Sequence, residues 1–64
     1  MKNINPIAID AGILSRFDVA KLLGFQPDTI RRWSYSGKIP AHKVGNKIIF
    51  LREELIDWVK TKRM

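Results

Sequence analysis

Arg31, Arg32 and Tyr35 lie close together in the chain, and Lys38, Lys43 and Lys47 follow them. Guanidinium and ammonium groups donate to phosphate oxygens and to the acceptor edges of bases. Tyr35 is open to two uses, a phosphate hydrogen bond or packing. Asp28, just ahead, is open to two as well. It can complement the positive end of a helix, or accept from a cytosine amino group. His42 beside Lys43 and Asn46 beside Lys47 add polar reach, and Arg16 is an isolated cation upstream. No arrangement for bond-making chemistry is evident. The chain has no cysteine and one histidine, so no metal cluster is expected. Glu53 and Glu54 are adjacent and so point in different directions on a helix. There is no Gly-rich phosphate loop and no nucleophile–base spacing. A binding protein is expected and not an enzyme, with no cofactor, metal or small-molecule ligand.

The net charge is +6 and the pI about 10.2, a balance suited to a polyanionic partner. The excess is uneven. Before Arg31, the cations Lys2, Arg16 and Lys21 are matched by Asp10, Asp18 and Asp28. From Arg31 onward only Glu53, Glu54 and Asp57 oppose the remaining cations. No apolar run has the length of a membrane span. Pro6, Asp10 and Gly12 interrupt the opening segment where a signal peptide would be apolar. A cytoplasmic protein without membrane contact is expected.

Elements must hold these groups in place. A chain of 64 residues makes one small domain, and 45% hydrophobic residues suffice for a minimal core. Residues 1–14 follow neither the helix nor the strand period. They are read as an N-terminal arm, either laying isoleucines on the body or loose. Residues 15–64 are the domain proper. Ser15 is a good N-cap, and Asp18 three positions later resembles a capping box. Val19, Leu22 and Leu23 then share a face, Gly24 ends the helix, and Phe25 is expected to turn inward. Pro27 opens a second helix. Ile30 and Trp33 face inward on it, which leaves Arg31, Arg32 and Tyr35 outside. Gly37 and Pro40 stop it.

Beyond Pro40 the period changes to that of strands. Gly45-Asn46 is a two-residue hairpin signal. The hairpin is expected to lean on the helices through Val44, Ile48 and Phe50, with Lys43, Asn46 and Lys47 at its tip. A last helix over residues 52–62 has Glu53 and Glu54 near its positive end and Lys60, Lys62 and Arg63 near its negative end. Leu55, Trp58 and Val59 form its inward stripe. Trp33 and Trp58, both on apolar stripes, are read as core and not as stacking platforms. The predicted fold is mainly α with a small β-hairpin: a winged helix-turn-helix with a two-stranded wing and a C-terminal packing helix.

Four stretches in this order carry a family likeness. They are S-R-F-D-V-A-K-L-L-G-F (15–25), P-D-T-I-R-R-W (27–33), S-G-K-I-P-A (36–41) and V-G-N-K-I-I-F-L-R-E-E-L-I-D-W (44–58). Together they resemble the MerR-type helix-turn-helix superfamily, and within it the excisionase-like group. The resemblance implies that the second helix enters the major groove and that the hairpin is a wing on the backbone or the adjacent minor groove. By position, Thr29 and Arg31 match the Thr and Arg of the family's recognition helix, and Lys47 matches a basic wing position. Arg32 falls where MerR regulators often carry an aromatic, and Trp33 where they often carry Tyr. Two positions depart from the pattern. Ile49 stands where excisionase-like wings often carry Arg, so the wing is expected either to grip phosphate more weakly or to use an exposed Ile49 against a partner protein. Leu51 is a poor N-cap for the last helix.

The DNA-contacting set expected on these grounds is Pro27, Asp28, Thr29, Arg31, Arg32 and Tyr35 on the helix, and His42, Lys43, Asn46 and Lys47 on the wing. Arg16 and Lys38 are expected on the backbone. The expected function is sequence-specific binding of double-stranded DNA as a recombination directionality factor. Such a protein bends DNA, directs an integrase and loads cooperatively beside further copies. A small transcriptional regulator and a protein-interaction module are the alternatives. A MerR regulator continues into a long dimerisation helix; none follows here, so an architectural role is expected.

Overall fold

The computed structural model describes residues 12–64. Its elements run β1 (Ile13–Ser15), α1 (Arg16–Leu23), α2 (Pro27–Ser36), β2 (His42–Val44), β3 (Lys47–Leu51) and α3 (Arg52–Lys60). The three strands form one antiparallel sheet in the order β1-β3-β2. Three helices around this sheet make a small winged helix-turn-helix, the fold expected. The wing, however, is extended by a third strand. Ile13, Leu14 and Ser15 pair with Leu51, Phe50 and Ile49. The boundary drawn between residues 14 and 15 therefore falls inside β1. The rest of the expected arm, residues 1–11, lies outside the described residues.

Ser15 ends β1 and caps α1 in one step. Its hydroxyl accepts from the Asp18 N–H at 3.2 Å, and the Asp18 carboxylate accepts from the Ser15 N–H at 2.9 Å. A cap of this kind contributes about 1 kcal/mol. Gly24 ends α1 and Gly37 ends α2, both left-handed as expected. Between the helices, the Gln26 carbonyl takes the N–H groups of Thr29 and Ile30 at 3.0 and 3.2 Å. Pro27, with no N–H to satisfy, fits the first helical position.

The core is Val19, Ala20, Ile30, Ile39, Phe50 and Leu55. α1 gives two of these side chains, α2, β3 and α3 give one each, and Ile39 comes from the link after α2. Leu14, Leu23, Trp33, Ala41, Ile48 and Trp58 pack around them, half-buried. Ile39, in the link after α2, belongs to the centre and was not foreseen. Three expected core residues are exposed instead. Leu22 is 67% exposed, because the buried stripe centres on Val19, Ala20 and Leu23 and Leu22 lies about 100° round the helix from it. Val44 is 60% exposed; it pairs with Lys47, so it shares the outer sheet face and not the face of Ile48 and Phe50. Val59 is exposed in the last turn of α3, because α3 packs chiefly on β3 and reaches the core with Leu55 and Trp58. Phe25 is also more exposed than expected, but its ring meets Trp33 edge-on at 4.9 Å.

Leu51 does precede α3 without a side-chain cap. The backbone supplies the missing partner: the Arg52 N–H donates to the Gly12 carbonyl at 2.8 Å. Gly12 holds this position with φ +72°, and a Cβ there would lie 3.3 Å from the Arg52 Cβ. Gly24 has a similar φ of +81° with open space around it. Left-handed backbone costs a non-glycine residue about 1–2 kcal/mol. Gly24→Ala is expected to lose about that much in urea unfolding. Gly12→Ala is expected to lose more, since strain and crowding act together. Equal losses would show that the Gly12–Arg52 contact relaxes freely.

Candidate nucleic-acid interface

α2 is fixed from beneath. Ile30 is fully buried, and Trp33 is held between the edge of Phe25 and the Lys38 ammonium, 4.8 Å from its ring. Ser34 ties its hydroxyl to the Ile30 carbonyl at 2.7 Å. The opposite face is left to Arg31, Arg32 and Tyr35, all exposed. The wing rises beside this face. Its register puts Lys43, Ile48, Phe50 and Leu14 on one side of the sheet and His42, Val44, Lys47, Ile49 and Ser15 on the other. Lys43 therefore leans toward the helices, where its ammonium lies 5.7 Å from the Tyr35 ring. The Arg31 guanidinium lies 5.5 Å from the same ring. Tyr35 thus joins the exposed face of α2 to the wing through two cation–π contacts.

Between α1, α2 and the wing runs a groove of about 710 Å³. Arg16, Arg31, Tyr35, Asn46 and Lys47 line it, five of the residues expected to touch DNA. Asp18 is the acidic residue of its lining, and one of its oxygens is engaged by the Ser15 N–H. Cationic walls around an open channel suit a sugar-phosphate strand. Phe17 also lines the groove, 59% exposed, with the Arg16 guanidinium 4.8 Å from its ring. Sequence reasoning missed it. The available signal was its position, an aromatic off the Val19, Ala20, Leu23 stripe.

Other expected contacts are placed differently. Ile49 is half-buried in the central strand and lines the groove, less exposed than expected. His42 is bound to α3: its Nε2 lies 2.7 Å from Glu54 Oε1. Lys38 covers Trp33 at the far end of α2. Pro27 and Thr29 are half-buried in the first turn of α2. Asp28 pairs with both arginines of the helix. Among the described residues, no His, Cys, Asp or Glu group is placed to hold a metal ion, and no helix is long and apolar enough to cross a membrane.

Residues 13–63 match the family model of the helix-turn-helix domain. The chain belongs to that family. The match begins at the first residue of β1 and runs through α3, so the third strand and the packing helix lie inside the family's extent. No curated protein and no solved structure matches the chain. A helix-turn-helix protein binds DNA with its second helix, and α2 is that helix here.

Tyr35 provides a direct check on this surface. It is 58% exposed, so Tyr35→Ala is expected to leave stability nearly unchanged. Loss of the ring against which Arg31 and Lys43 rest should weaken duplex binding several-fold in an anisotropy titration. Tyr35→Phe keeps the ring and should bind like the parent if the ring alone matters. A Phe variant as weak as the Ala variant would show that the phenol bonds a phosphate.

Proposed function

We propose that this helix-turn-helix protein recognises specific double-stranded DNA sites and acts as an excisionase-like recombination directionality factor. α2 lies in the major groove, and the strand beside it passes through the groove between α1, α2 and the wing. The observation that carries this reading is the convergence of Arg16, Arg31, Tyr35, Asn46 and Lys47 on that one groove. The likeness to excisionase-like MerR proteins in the four sequence stretches supports the architectural role. The protein works by binding and not by catalysis, inside the cell where its DNA is.

An interface this small specifies few base pairs. Copies are therefore expected to load side by side on neighbouring sites, bend the DNA and so bias a partner integrase toward excision. Contacts from helix and wing to the same stretch of backbone would offset the deformation energy that bending costs. Duplexes enriched from a randomised pool, carrying one site or two in tandem, test this by gel shift and by energy transfer between end labels. Neutralising four to six phosphates predicts a log–log salt slope of about −4 to −5. Tighter per-site binding on the tandem duplex, with bent DNA, is the expected result. Equal per-site affinity on straight DNA would favour a small transcriptional regulator of the same fold.

A further inference from the structure

Both arginines of the recognition helix are tied to one carboxylate. Asp28 Oδ2 accepts from Arg32 Nη1 at 3.2 Å, and Asp28 Oδ1 lies 3.9 Å from Arg31 Nη1. The acid stands three and four residues ahead of the bases, the favourable direction on a helix. The three side chains are 73%, 48% and 61% exposed for Asp28, Arg31 and Arg32, so these pairs contribute little to folding. The two helix starts differ in how they use their acid. In α1 the first-turn Asp18 is engaged in the capping box. In α2 the cap residue Gln26 makes no side-chain bond, and the first-turn Asp28 points its oxygens at the arginines.

This placement has consequences for DNA. A guanidinium engaged by Asp28 has fewer free donors, and it is drawn toward the start of α2. A phosphate met anywhere on DNA must compete with the carboxylate and is itself repelled by it. A guanine edge offers paired acceptors in a fixed geometry, and it competes better. We propose that Asp28 is a specificity-determining residue: it holds Arg31 and Arg32 back from indiscriminate phosphate contacts and orients them for base edges. This rests on the reading of α2 as a reader of specific duplex sites.

The test uses the full chain and its Asp28→Asn and Asp28→Glu variants, each checked for native fold by circular dichroism. Each protein selects duplexes from a randomised pool. Affinities are then measured on the duplex enriched by the parent and on a shuffled duplex, across a salt series. For Asp28→Asn, binding to the shuffled duplex should tighten about three- to tenfold, with a salt slope steeper by roughly 0.9, one more phosphate contact. The enriched duplex should gain much less, so the preference between the two falls. Asp28→Glu keeps the charge at pairing distance and should restore that preference.

Four outcomes would overturn the assignment. An equal gain on both duplexes would mean that Asp28 only subtracts charge. A selected sequence altered at a single cytosine would mean that Asp28 reads that base itself. An Asn variant that selects the parent's sequence with the parent's preference would remove Asp28 alone and leave the proposed function standing. If the parent enriches no sequence at all, specific recognition fails, and the role of Asp28 fails with it.

Discussion

The burial of Phe50 is the contact on which the rest of the structure depends. Its ring is fully enclosed, and it sits in β3, which lies between β1 and β2 in the sheet. The same strand runs directly into α3, so sheet and packing helix share one piece of backbone. Phe50 shares the core cluster with Val19 and Ala20 of α1, Ile30 of α2, Ile39 of the link and Leu55 of α3. Enclosing a phenylalanine side chain is worth about 1.5–3 kcal/mol. Domains are stable by only about 5–15 kcal/mol in total, and small ones lie toward the low end. With so few enclosed side chains, the angle at which α2 is presented and the position of the wing are set by the same contacts. DNA recognition and folding are therefore hard to separate on the buried side of α2, and easy to separate on its exposed side.

β1 shows how three residues can organise much larger elements. Its last residue, Ser15, closes the start of α1 with a reciprocal pair of hydrogen bonds. The Gly12 carbonyl, just ahead of the strand, closes the start of α3 through the Arg52 N–H. Between these two caps, Leu14 lies opposite Phe50 and packs on the core. β1 also lines the cationic groove. A short strand thus fixes the beginnings of two helices and one side of the cationic groove.

Local chemistry was legible in the sequence. The Ser15–Asp18 capping box, Pro27 at the start of α2, the glycines at 24 and 37 and the Gly45-Asn46 turn each act within a few residues, and each stands as read. The division of α2 into a buried Ile30 side and an exposed Arg31, Arg32, Tyr35 side followed from helical spacing alone. What depends on distant partners was not legible. Three residues are too few to show a strand period, so β1 was hidden until its pairing with β3 was seen. Leu51 looked like a missing cap because its substitute comes from Gly12, far away in the chain. Val44 and Leu22 were misplaced because an apolar residue one step off a buried stripe has the same composition as one on it. Phe17 and the tie between His42 and Glu54 depend on which elements become neighbours, and only the tertiary arrangement decides that.

The central claim is that α2, the groove beside it and the wing act as one DNA-binding surface, with α3 behind it. Amide chemical-shift mapping of the labelled protein during titration with duplex DNA tests this most directly. The account predicts that shifts concentrate at Arg16, Arg31, Tyr35, Lys43, Asn46 and Lys47 and move together with added DNA, while Ile56 and Val59 on α3 stay in place. Shifts centred on α3, or changes in α2 with a silent wing, would contradict it.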